Sequence, residues 1–158
     1  MTPAHERLAF VCAAALVSAC RPDGDIEMHR VRSAVREYNR ALQRAQFNGR
    51  PELLADAATD NELDRVATLI GALSGSGAVL DARQESSRVE AVTIAPPAAA
   101  ELTTRETWWY RRVDRATGEV RLAPQRVHYR IRYHLVKLDG RWRVDRLDNL
   151  ETREQPSS

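Results

Sequence analysis

Between Val127 and Asn149 the chain leaves few folds open. Val127, Tyr129, Ile131, Tyr133 and Leu135 alternate with His128, Arg130, Arg132 and His134. That period of two marks a strand with one buried face. Asp139-Gly140 follows, a pair suited to a two-residue hairpin turn. Trp142 and Val144 then resume an apolar face. An isolated hairpin is marginal in water, so the rest of the chain must supply further strands and a cover.

The preceding sequence contains both. Val31, Ala34, Val35, Tyr38, Ala41, Leu42 and Ala45 recur at three- and four-residue steps, which predicts an amphipathic helix over Ile26–Phe47 capped by Asp25. Asn48-Gly49 ends it, and Pro51 opens a short second helix to about Ala58. Asp60 then precedes Leu63, Val66, Ala67, Ile70 and Leu73, a third helix. Ser74-Gly75-Ser76-Gly77 is a loop; it lacks the lysine and the strand-before-helix setting of a phosphate-binding loop. Four strands follow: Arg88–Ile94, Ala99–Val113, Arg121–Leu138 and Trp142–Leu150. Pro124 implies that the third starts late or carries a bulge. The 158-residue chain therefore reads as one α+β domain, three N-terminal helices packed on a four-stranded antiparallel sheet.

The first residues read as a targeting segment. Arg7 gives a basic start, and Leu8–Val17 is an apolar run too short to span a bilayer as a helix. Val17-Ser18-Ala19-Cys20 resembles the lipobox of bacterial lipoproteins. The resemblance implies cleavage before Cys20, acylation of its thiol and acylation of the new amino group. Residues 1–19 are then a lipoprotein signal peptide, 20–25 a lipidated tether, 26–150 the folded domain and 151–158 a polar tail. The other cysteine, Cys12, leaves with the signal, so the folded part holds no disulfide and no cysteine metal site. Attachment to the membrane of a bacterial cell envelope through Cys20 is the expected location. Arg21 is not the aspartate linked to inner-membrane retention, which points to the periplasmic leaflet of the outer membrane where there is one.

Glu106 is the candidate for catalysis. Leu102, Thr104, Glu106, Trp108 and Tyr110 share one strand face, and a carboxylate under a sheet can serve as a general base. It can equally pair with an arginine or a tyrosine hydroxyl across the sheet. Trp108, Tyr110, Tyr129, Tyr133 and Trp142 either fill the core or line a pocket for a small apolar ligand. His128 and His134 share a strand face but lie roughly 20 Å apart, too far for one metal ion. No metal or cofactor is implied. Residues 101–153 hold 13 Arg/Lys against 8 Asp/Glu, and residues 21–100 hold 10 against 12, so the sheet is the basic half. Such a face suits solvent, anionic headgroups or an acidic partner; nucleic acid is not expected for an exported lipoprotein.

Helices before strands, with Glu106-Thr107-Trp108-Trp109-Tyr110, Tyr129–Tyr133 and Leu138-Asp139-Gly140-Arg141-Trp142-Arg143-Val144, resemble the nuclear transport factor 2-like superfamily, of cystatin-like and SnoaL-like type. Closest is the kind at the C-terminus of plastid-division proteins, where a pair such as Leu53-Leu54 recurs. The resemblance implies a curved sheet wrapped on helices. Ketosteroid isomerases and polyketide cyclases of this superfamily usually carry a strand between the second and third helices, and Ala58–Glu62 leaves no room for one. The expectation is a lipid-anchored, non-enzymatic binding or protein-interaction domain; the alternative is a small-molecule pocket or enzyme of the isomerase or cyclase type. An unknown envelope protein, a small apolar ligand, or a second copy docking through the sheet are the candidate partners.

Overall fold

The computed structural model describes residues 22–155. The expectations for residues 1–19 and for Cys20 fall outside the described residues. Helix α1 runs Pro22–Asn48 and helix α2 Asp60–Gly75, with a four-residue 3₁₀ turn at Pro51–Leu54 between them. Strands β1 (Ala78–Ala95), β2 (Ala99–Asp114), β3 (Val120–Leu138) and β4 (Arg141–Gln155) form one antiparallel meander in the order β1-β2-β3-β4.

The described residues thus form two α-helices before the sheet, not three. The stretch opened by Pro51 cannot continue as a helix because its backbone is taken by the sheet. Val144 N–H donates to the Ala57 carbonyl at 3.0 Å, and Thr59 N–H donates to the Val144 carbonyl at 2.9 Å. Ala58 and Val144 form a single parallel bridge, all that occupies the place of the extra strand. The Thr59 hydroxyl, free of capping duty, donates to Asp145 at 2.8 Å. α1 starts at Pro22, four residues before Ile26, with acidic Asp25 and Glu27 near the N-terminal end where the helix dipole favours them.

β1 begins at Ala78, ten residues ahead of Arg88. Its first turn of pleat shows no alternation because Ala78, Val79, Asp81 and Ala82 are all buried. Register shifts at Gln84/Ser86 and Val89/Ala91 then break the period again; each adds a residue on one strand and bends the sheet. Pro124 lies inside the irregular pairing between Leu122 and Gln125, beyond the point where β4 ends opposite Arg126. A missing N–H is harmless there. At the β3–β4 turn Asp139 (φ 49°) and Gly140 (φ 77°) are both left-handed, the backbone that a two-residue hairpin of this kind needs. β4 continues to Gln155, five residues into the stretch read as a polar tail.

The core lies between α1, α2 and one sheet face. Val31, Tyr38, Ala45, Leu54, Val66, Tyr133 and Val144 are wholly buried in it. Tyr129, Ile131, Tyr133 and Leu135 point to this side, as their alternation predicts; His128 is exposed on the other. Each large apolar side chain so buried contributes about 1.5–3 kcal/mol.

Candidate functional site

Under the middle of the sheet sits Glu106, 2% exposed. Its Oε1 accepts from the Tyr133 hydroxyl at 2.8 Å, the Thr104 hydroxyl at 2.8 Å and the Asn39 amide at 3.4 Å. Its Oε2 accepts from the Trp108 indole at 2.6 Å. Asn39 also binds the Tyr133 hydroxyl at 3.2 Å. Three neighbours come from alternating positions of β2 and β3, which the pleat aims at one face; the fourth projects from α1. Burial, then the Glu106 charge, hold the Tyr133 hydroxyl well above the ordinary tyrosine range. Tyr133 is therefore a neutral donor. Both carboxylate oxygens are occupied by the protein's own donors, and no cation pairs with Glu106 among the described residues. Three of the four donors crowd Oε1 and one meets Oε2; a general base needs a free lone pair facing substrate.

A second carboxylate is also buried. Glu62, fully buried in the first turn of α2, accepts from the Tyr38 hydroxyl and from Arg65, whose Nε and Nη2 lie 2.7 and 2.6 Å away. Burial first, then the Glu62 charge, raise Tyr38 well above its usual range. Sequence reading missed Glu62. Its signal was the spacing Glu62, Val66, Ile70, which puts it on the buried stripe of α2.

Four of the five aromatic candidates are linked through Glu106, to which Trp108 and Tyr133 both donate, and Trp142 stands apart. Trp108 and Tyr110 stack with centroids 5.9 Å apart, and Tyr129 meets Tyr110 edge-on at 6.4 Å. Tyr133 belongs to the Glu106 network and touches Tyr38 edge-on at 6.2 Å. Trp142 lies at the far end, its indole donating to Glu27 at 2.9 Å alongside Lys137 Nζ at 2.9 Å. On the outer face His134 sits between Glu101 (3.2 Å) and Asp148 (2.7 Å), while His128 contacts Thr107 at 3.0 Å.

Lys137 and then Trp142 hold the Glu27 carboxyl down at about 2, against 4.5 ordinarily. A lowered folded-state value means that stability from this contact is complete above pH 4.5 and is lost as pH falls through about 2. Acid unfolding of Glu27→Gln is expected to be flatter than wild type between these limits, read by circular dichroism against pH. Superimposable acid curves would reject the assignment.

A groove of about 1030 Å³ lies between α1, the Leu53–Ala57 stretch and the β3–β4 turn. Ala34, Ala41, Leu53 and Trp142 form its floor; Arg30, Glu37, Arg40, Arg44, Asp56 and Arg141 form its rim. Among the described residues Arg40, Arg44 and Arg141 make no ion pair. From sequence, this arginine stripe reads simply as the solvated face of a helix.

Two solved structures share the architecture. The intermembrane space region of the chloroplast protein ARC6 aligns with a TM-score of 0.67 at 17% identity, covering 75% of this chain and 92% of that one. A ketosteroid isomerase-like protein from Erwinia carotovora atroseptica SCRI1043 aligns with a TM-score of 0.50 at 18% identity, covering 79% and 97%. The fold is nuclear transport factor 2-like. At these identities the likeness extends to the fold and not to a shared activity. No protein-family model matches the sequence, and no curated protein sequence matches it.

Proposed function

We propose that this chain is a lipid-anchored protein of the bacterial envelope whose nuclear transport factor 2-like domain binds a polypeptide segment without catalysis. One observation carries the choice of binding over chemistry: Glu106 spends both oxygens on four protein donors. The open surface lies instead along α1, where an apolar floor is flanked by Arg40, Arg44 and Arg141, which make no ion pair among the described residues. Four arginines against Glu37 and Asp56 leave the rim net positive, so the segment it suits is apolar on one side and acidic on the other. The anchor rests on the Val17–Cys20 pattern alone.

Photo-crosslinking from position 40 or 44 in living cells tests the groove. One recurrent protein is expected, lost on Leu53→Asp in a variant with an unchanged thermal midpoint. Equal capture from position 83, on the outer sheet face, or capture insensitive to Leu53→Asp would sink the reading. Separately, Cys20→Ala is expected to move the protein from the membrane to the soluble fraction. Unaltered fractionation would remove the anchor and leave the groove standing.

A further inference from the structure

The outer face of the sheet holds a second, smaller hollow, of about 380 Å³. Strand register lines up Arg88, Arg105, Arg130 and Glu151 in one row across all four strands. The next row is Ser86, Thr107, His128 and Arg153. Like charges directly opposite one another on neighbouring strands destabilise a sheet, and here three guanidinium groups stand side by side. Two carboxylates offset them only in part. Glu90 bonds Arg105 and, at 2.7 Å, Arg130. Glu151 bonds Arg153 at 2.5 Å and reaches Arg105 at 3.9 Å. Arg88 has no ion pair among the described residues. Glu90 thus acts as a strut that fixes two guanidinium groups beside a third that is uncommitted. Fixed, planar, forked donors are what recognise a tetrahedral oxyanion, and the Ser86 and Thr107 hydroxyls border the same space.

We propose that this hollow binds a phosphate group, carried by a soluble phosphorylated molecule or by an anionic lipid headgroup. An incoming phosphate anion would offset the charge of the arginine row, so the site gains from a ligand what the empty sheet loses to repulsion. The proposal is independent of the α1 groove.

The test uses the full chain carrying Cys20→Ser, so that no acyl chain contributes to membrane binding. Glycerol phosphate is titrated in solution by calorimetry, and vesicles of phosphatidylglycerol or of phosphatidylcholine are co-sedimented with the protein. Glycerol phosphate is expected to bind if the ligand is soluble; binding confined to phosphatidylglycerol vesicles identifies a headgroup. In either case Arg88→Gln and Arg105→Gln should each weaken binding about tenfold, the loss of one charge-assisted contact. Arg44→Gln, in the α1 groove, should leave it unchanged. These arginine side chains are solvent-accessible, and an unchanged thermal midpoint confirms folding of each variant. Absence of binding to both probes, or equal weakening by Arg44→Gln, overturns the proposal. Neither result bears on crosslinking from position 40 or 44.

Discussion

Glu106→Ala is expected to lower the stability of this domain by about 3–5 kcal/mol, because the Thr104 hydroxyl and the Trp108 indole N–H are left buried and unpaired at about 1–3 kcal/mol each. Tyr133 loses less, since Asn39 Oδ1 remains within 3.2 Å of its hydroxyl. Glu106→Gln keeps one acceptor oxygen but turns an amide N–H₂ toward a donor, and about 2 kcal/mol is expected. Urea unfolding followed by circular dichroism measures both. The slope with denaturant should hold while the midpoint falls. A loss under about 1 kcal/mol for Glu106→Ala would mean that water reaches this carboxylate. The case for a catalytic acid or base would then reopen.

The second large effect is at Tyr38, 0% exposed in the middle of the core cluster. Tyr38→Ala should cost about 4 kcal/mol through the cavity left by the ring, a large share of the 5–15 kcal/mol typical of a whole domain. Tyr38→Phe fills the same space and removes only the hydroxyl that meets Glu62, so about 1–2 kcal/mol is expected. In a double-mutant cycle with Glu62→Gln, the two changes should be non-additive. Strict additivity would show that the hydroxyl and the carboxylate do not interact.

The hairpin was legible in the sequence because its information is local. Five alternating apolar residues and Asp139-Gly140, whose left-handed angles leave few alternatives, define it without reference to the rest of the chain. The first half of β1 was not, because burial on both faces removes alternation and two register shifts scramble what is left. The absent third helix follows from backbone pairing of Ala57 and Thr59 with Val144, a contact across some 85 residues that no local pattern encodes. Glu106 stood out as a carboxylate on an apolar strand face. Its partners on β2 and β3 could be inferred from the pleat, but Asn39 could not, since helix-to-sheet distances are set by packing.

Tyr38 and Asn39 are neighbours in the chain, about 100° apart around the α1 axis. One sends its polar atom to α2 and the other to the sheet. A helix laid down by greasy contacts alone could roll or slip by a turn at modest cost. With two latches at different compass bearings, any such slip breaks a buried bond at one of them, so the domain has a single seating for its longest rod and a fixed shape for the groove that rod borders.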